Sequence, residues 1–308
     1  MKLPPTANYL PLRFIAIGML SWLLFAMLSA CAHKKIAMPP VTPAPTGNYH
    51  FGKFVWHDLL TNDIPSAKKF YGALFGWEFE SSQPGDTAFT VIKYKGLPIG
   101  SMIYIKRLNP EVSESRWLAS LSVADVGQAV EHFRTNGGKI YREPKNYPER
   151  GRLAVVGDPQ GAVLALLKAS GGDPADEKPE FNQWFWHELI TENPDEAVSF
   201  YEALVDYRHE AREVRKGITY YVLKNETVPR AGVLKAPWEG IPPVWLPYVR
   251  VEDVSPLAAR VESLGGRLIL APDSTIRNGS VAIIADPTGA AVAIQKWPFE
   301  ASERSESQ

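Results

Sequence analysis

Of the 308 residues only one is a cysteine, Cys31, so no disulfide can form within the chain. Positive charge is not in excess: 33 Lys and Arg stand against 34 Asp and Glu, a formal net charge of −1. A counterion-releasing surface for nucleic acid therefore has no support in the composition. No glycine-rich phosphate loop and no Ser/His/Asp arrangement presents itself, and Gly137-Gly138 and Gly265-Gly266 follow predicted helices, where they read as C-caps. With 45% hydrophobic and 22% charged residues the composition is still globular, and the length suits two ordinary domains.

The lone thiol is explained by its position. Lys2 and Arg13 precede an apolar run from Phe14 to Ala30, which ends in Leu28-Ser29-Ala30 and is followed at once by Cys31. That order of charged, apolar and small-residue regions is signal-peptide architecture. Leu28-Ser29-Ala30-Cys31 resembles the lipobox of bacterial lipoproteins, which implies cleavage before Cys31 and its acylation. Ala32, rather than an aspartate, then implies the outer membrane, facing the periplasm. The competing reading is an uncleaved transmembrane anchor, for which the run is near the lower length limit. Residues 1–31 are thus assigned as the signal. The segment 32–49, with Pro39, Pro40, Pro43 and Pro45, is expected to be a semi-extended tether.

What the chain does have is a repeat. Phe54-Val55-Trp56-His57-Asp58-Leu59-Leu60-Thr61, followed by Asp63, Pro65 and Phe70-Tyr71, returns as Phe185-Trp186-His187-Glu188-Leu189-Ile190-Thr191, followed by Asn193, Pro194 and Phe200-Tyr201. The offset is 130 at both Trp56/Trp186 (186 − 56) and Phe70/Phe200 (200 − 70). Each copy reads as an aromatic-rich strand, an N-cap, a proline in the first turn and a helix. Three short strands follow, and the pattern restarts at Trp117 with Asp125 capping a second helix, giving two βαβββ units per copy. In the later half Asp158-Pro159-Gln160-Gly161 is answered by Asp286-Pro287-Thr288-Gly289. The predicted organisation is one module over 50–168, a Gly-, Pro- and acid-rich linker over 169–182, a second module over 183–297, and a mostly polar tail over 298–308.

The series of strand, Asp-x-x-x-Ala-x-x-Phe-Tyr, Leu74-Phe75-Gly76-Trp77 and a closing Asp-Pro-x-Gly resembles the vicinal oxygen chelate superfamily, which includes glyoxalase I, bleomycin-resistance proteins and extradiol dioxygenases. The resemblance covers both modules and implies an α+β fold, two tandem glyoxalase-like modules, each a pair of βαβββ units curled around a cleft. In metal-binding members the first strand supplies a His or Gln seven residues before the capping Asp, and the last strand a Glu four residues after the Gly of Asp-Pro-x-Gly. Those positions hold Trp56, Leu118 and Ala165 in the first module and Trp186, Leu246 and Ala293 in the second. None is a metal ligand. The remaining position, on the last strand of each first unit, has no sequence marker.

Strand alternation puts His57 and His187 on the face opposite Trp56 and Trp186, where each is expected as a hydrogen-bonded histidine beneath the helices rather than a catalytic group. Sharing the cleft face with the tryptophans are Asp58 and Glu188, together with Tyr248, Arg250 and Gln295. A Trp beside a carboxylate can hold a cation or polar ligand, and Arg250 could hold an anionic group; Asp58 and Glu188 could equally satisfy backbone or Arg partners. Three readings follow: a membrane-anchored protein binding a small molecule in its clefts with no metal or other cofactor, a lyase or dioxygenase-type enzyme with metal ligands outside the family pattern, or a structural lipoprotein with side-chain-filled clefts. The first is the expectation, with the membrane, through acylated Cys31, and a small molecule as the partners; the oligomeric state stays open.

Overall fold

A computed structural model describes residues 38–81, 89–106, 115–215 and 217–297. The signal segment, Cys31, the start of the tether and the polar tail lie outside the described residues. Among the described residues no helix is long and apolar enough to cross a membrane.

Module 1 begins with β1 (Phe54–Thr61), α1 (Ile64–Phe75), β2 (Glu78–Ser81), β3 (Phe89–Tyr94) and β4 (Leu97–Tyr104). Its second unit is β5 (Arg116–Ser122), α2 (Val126–Thr135), β6 (Lys139–Tyr147), β7 (Gly151–Gly157) and β8 (Val163–Ala169). Module 2 repeats the order with β9 (Trp184–Thr191), α3 (Pro194–Val205), β10 (Arg208–Arg215), β11 (Ile218–Asn225) and β12 (Val228–Lys235). It ends with β13 (Val244–Val251), a short α4 (Val254–Ala258), β14 (Arg267–Leu270), β15 (Val281–Ala285) and β16 (Ala291–Lys296). Each module is one eight-stranded sheet, ordered β2-β3-β4-β1-β5-β8-β7-β6 and β10-β11-β12-β9-β13-β16-β15-β14. The leading strands of the two units, β1 with β5 and β9 with β13, pair antiparallel at the centre.

The caps form as the repeat predicts. Asp63 Oδ1 accepts from Ser66 N at 3.0 Å, Asp125 from Gln128 N at 2.9 Å and Asn193 from Glu196 N at 3.4 Å. Each satisfies one of the backbone donors a helix start leaves open.

The helices lie between the two sheets, so the modules share their cores. One cluster joins Val130 and Phe133 of α2 to Phe200 and Tyr201 of α3 and Val233 of β12. The other joins Phe70 and Tyr71 of α1 to Val249, Ile284 and Ile294 of module 2. Fully burying a phenylalanine such as Phe70 or Phe133 contributes about 1.5–3 kcal/mol relative to leaving it exposed. The Asp-Pro-x-Gly turns serve the same junction. Asp158 Oδ1 accepts from the backbone of Gln160, Gly161 and Ala162, and its Oδ2 accepts from Tyr201 Oη of the other module at 3.0 Å. That hydroxyl in turn accepts from Trp245 Nε1 at 2.8 Å. In the reciprocal copy Tyr71 accepts from Trp117 Nε1 at 2.9 Å and faces Asp286, whose Oδ2 stops short of a hydrogen bond.

Both connecting segments are fixed against the modules. The tether is docked from residue 38 onward: Val41 is buried in the apolar interior of module 1, and Thr46 N and Gly47 N both donate to Gly171 O. The linker is pinned too, with Asp176 gripped by Arg230 at 2.6 and 2.8 Å and by Lys53 at 2.9 Å. Composition marks such stretches as irregular, but irregular backbone can still be fixed by side chains from the modules.

Candidate ligand clefts

Alternation along β1 and β9 separates two sets of side chains. Leu59 and Leu189 turn to the shared cores, as do the histidines, while Trp56, Asp58, Trp186 and Glu188 turn to the clefts. The histidines are not beneath helices, however. His57 Nε2 and His187 Nε2 are 2.8 Å apart, buried, in a stack that runs Trp184, His57, His187, Phe54. Because the convex faces of the modules pack together, each histidine meets its own copy. One ring must donate and the other accept, so the pair requires opposite tautomers. Burial pushes both well down, His187 to about 3, which keeps the pair neutral.

In module 2 the cleft floor is one polar network. Glu188, 2% exposed, accepts from Tyr220 Oη at 2.7 Å and from Tyr248 Oη, and pairs with Arg277 Nη2. Arg277 Nη1 donates to Gln295 Oε1 at 3.0 Å, and Trp186 Nε1 donates to Tyr220 Oη at 3.0 Å. Tyr220 reaches the carboxylate only because Gly232 lies across from it, where a Cβ would overlap the phenol oxygen. Arg277 and Asn278, between β14 and β15, have φ of 48° and 53°, two successive non-glycine residues in the left-handed region. Backbone held there carries strain. Burial disfavours the Arg277 charge, but Glu188 and the two phenols more than offset this and hold its pKa above the ordinary value.

In module 1 the corresponding carboxylate is Asp58, whose Oδ1 accepts from Trp56 Nε1 at 3.0 Å and from Ser101 Oγ. Arg150, from the turn between β6 and β7, lies over the Trp56 ring at 3.9 Å and is 0% exposed. Its Nε donates to Pro39 O at 2.6 Å. Burial pushes the Asp58 carboxyl up, and it brings the Arg150 pKa down to about 10, with the mutual attraction of the two opposing both shifts.

Of the residues named from sequence, Trp56, Asp58, Trp186, Glu188, Tyr248 and Gln295 line the concave faces. Arg250 does not join them. Its Nε donates to Trp297 O and its Nη1 to Pro179 O, both at 2.6 Å, and its guanidinium lies over Phe181 at 4.4 Å. It stands near the end of β13, beyond the network, and fastens the linker and the last strand's exit. Sequence reasoning missed Arg150, Arg277 and Tyr220. Both arginines precede a glycine in the loop before the seventh strand of their module, as Arg150-Gly151 and Arg277-Asn278-Gly279, a recurrence readable in the sequence.

The registers place the ligand position that sequence could not. Ser120 pairs with Ala165 in parallel and Asp58 with Ser101, while Tyr248 pairs with Ala293 and Glu188 with Gly232. Each of Asp58, Ser120, Glu188 and Tyr248 stands five residues before its helix cap, so Ser101 answers Ala165 and Gly232 answers Ala293. The family's metal would thus face Trp56, Ser101, Leu118 and Ala165, or Trp186, Gly232, Leu246 and Ala293. One serine hydroxyl, already donating to Asp58, is the only lone-pair donor in either set. These residues do not fit a divalent ion, and among the described residues no three of His, Cys, Asp and Glu converge to hold one.

Residues 50–166 and 185–294 match the Glyoxalase/Bleomycin resistance protein/Dioxygenase superfamily. The chain is 31% identical over 250 residues to "Putative glyoxylase CFP32" of Mycobacterium tuberculosis, covering 80% of this chain and 96% of that protein. It is 27% identical over 256 residues to an anthracycline biosynthesis protein of Streptomyces peucetius, covering 79% and 92%. Among solved structures, the Mn(II)-bound glyoxalase from Novosphingobium aromaticivorans superposes with a TM-score of 0.56 at 14% identity, over 80% of this chain and 82% of that one. Homoprotocatechuate 2,3-dioxygenase from Brevibacterium fuscum gives 0.57 at 13%, over 87% and 86%. At such identities the structural likeness is one of fold. With the family matched in both halves and a relative aligned along nearly its whole length, the chain belongs to the glyoxalase/bleomycin resistance protein/dioxygenase superfamily as a tandem of two glyoxalase-like modules.

Proposed function

We propose that this is a lipid-anchored binding protein of the bacterial envelope, which holds a small planar molecule with a polar substituent in the cleft of module 2 and uses no metal. The observation that carries the reading is the Glu188 network. Its carboxylate is saturated and buried, whereas Trp186, Tyr220 and Arg277 around it are only partly covered, Arg277 keeping 28% of its side chain exposed. Two aromatic faces and a cation at the rim of a fixed polar floor suit an aromatic ligand with an oxygen substituent. The relative named for anthracycline biosynthesis is consistent with a planar ligand. Anchoring rests on the signal-like segment ending at Cys31.

Calorimetric titration with a panel running from monocyclic phenols to anthraquinones tests it. At least one member is expected to saturate below about 1 mM, and Trp186→Ala to weaken it by ~10-fold or more. Binding undiminished in Trp186→Ala, or no saturation by any member, overturns the assignment. Chemical conversion of the bound compound would replace it with the enzyme reading.

A further inference from the structure

We propose that the cleft of module 1 is a second binding site, for a small carboxylate, closed in this structure by the protein's own strap of residues 39–42. The module 1 arginine is incompletely partnered. Arg150 is fully buried, yet neither Nη1 nor Nη2 has a hydrogen-bond partner, and Ser120 Oγ, on the cleft face opposite Trp56, has none either. In module 2 the arginine of the same loop, Arg277, is satisfied at both Nη atoms, by Glu188 and Gln295. The registers equate Gln295 with Leu167, Tyr248 with Ser120 and Tyr220 with Phe89. Module 1 thus also carries an arginine in this loop, one register position from Arg277, but has Leu167 and Phe89 in place of Gln295 and Tyr220 and the shorter hydroxyl of Ser120 in place of Tyr248.

A buried guanidinium without partners is destabilising, and a well-packed apolar residue of its size would be neutral or better there. Such a group is retained where something else supplies its acceptors. The free end of Arg150 presents two parallel N–H donors, which match the two oxygens of a carboxylate. Ser120 Oγ is a third donor on the same wall. Asp58 already accepts from Trp56 and Ser101 and takes no hydrogen bond from Arg150.

The strap stands where the ligand would enter. Val41 is 5% exposed and packs with Trp56, Leu118, Leu153, Ala165 and Leu167, and the Pro39 carbonyl already occupies Arg150 Nε. An oxygen acceptor on the guanidinium and an apolar group on the indole are what a small carboxylate with a hydrocarbon body would supply. Thr42 Oγ1 bonds only within the strap, to Ala44 O, and the next backbone anchor to the module is at Thr46 and Gly47.

The test is calorimetric titration of the detergent-solubilised full-length protein with acetate, benzoate and benzamide, in the parent and in Arg150→Met, Val41→Ser and Val41→Gly. Benzoate is expected to saturate the parent, benzamide to bind ~10-fold more weakly, and both strap variants to bind benzoate ~10-fold or more tightly, because the competing segment is loosened. Arg150→Met should lose benzoate while its thermal midpoint stays level or rises. Arg150→Met should leave binding of the phenol and anthraquinone panel intact, which separates this site from that of module 2. Benzoate failing to saturate the parent and a folded strap variant alike, or binding Arg150→Met as it binds the parent, overturns the proposal.

Discussion

The buried histidine pair makes the fold acid-sensitive in a calculable way. An unfolded histidine titrates near 6.5, whereas burial holds His187 at about 3 and His57 well below its ordinary value. The folded state therefore binds fewer protons than the unfolded state throughout the window between those values. Stability is fully present above about pH 6.5 and falls as pH drops, by about 1.4 kcal/mol per pH unit for each histidine. Between pH 7 and pH 5 the first protonation removes about 2 kcal/mol, and both together remove up to about 4 kcal/mol, a large part of a typical folding free energy. Carboxylates titrate below this window for the most part, and the raised values of Asp58, Asp158 and Asp286 act in the opposite direction, so the comparison must be internal. His57→Gln/His187→Gln keeps a neutral donor–acceptor pair and cannot titrate. Urea unfolding of the parent and the double variant at pH 7 and pH 5 should show the parent losing at least about 2 kcal/mol more. Equal losses in the two proteins would refute the reasoning, because they would show the folded imidazoles taking up protons as readily as the unfolded ones.

Three further outcomes follow from named contacts. Glu188→Ala should cost about 3–5 kcal/mol by leaving Arg277 without its counter-charge, read by denaturant unfolding, while Tyr248→Phe should cost only about 1–2 kcal/mol. Tyr201→Phe strands both Trp245 Nε1 and Asp158 Oδ2, about 1–3 kcal/mol for each group left unmet, and should lower the thermal midpoint more than Tyr71→Phe, whose Asp286 contact is unmade. Cys31→Ser should abolish acyl-label incorporation and leave the unprocessed precursor to accumulate, because on the anchoring proposal the lipid is joined through that thiol; label retained at the parent level would remove the proposal.

The local signals were legible because they are local. Capping residues, first-turn prolines and strand alternation depend on near neighbours, and the sequence spells them out twice at a fixed offset. Alternation puts Trp56 and His57 on opposite faces of the strand, but does not say what lies behind the face of the histidine. The answer is the other copy of the same strand. A residue that recurs at the same place in both copies, near the pseudo-symmetry axis, meets itself, and that is a signal the repeat contained. Arg250 fails for another reason: alternation fixes direction but not depth, and a long side chain near a strand's end finds the carbonyls of the flanking segments first. Arg150 and Arg277 come from turns, where no period predicts direction, and only their recurrence before a glycine marks them. The tether's composition describes an unpaired chain, whereas Val41 adds a single apolar anchor that an apolar cleft can take up.

The arrangement of the modules decides which changes the fold can absorb. A curled sheet has a convex and a concave face, and here both convex faces, with the helices α1 to α4 of the described residues, are committed to the shared cores. Substitutions among the histidines, Tyr71, Tyr201 or the Asp-Pro-x-Gly turns therefore act on both modules at once, and the two modules should unfold as one cooperative unit. The concave faces carry smaller clusters, each confined to its own module apart from the strap. Their residues can change one module at a time, which is the pattern observed: the same cleft holds Glu188, Tyr220, Tyr248 and Gln295 in one copy and Asp58, Phe89, Ser120 and Leu167 in the other. Two concave faces of different chemistry on a single folding unit follow from that division, since the surface that stabilises the chain and the surface free to vary are opposite sides of the same strands.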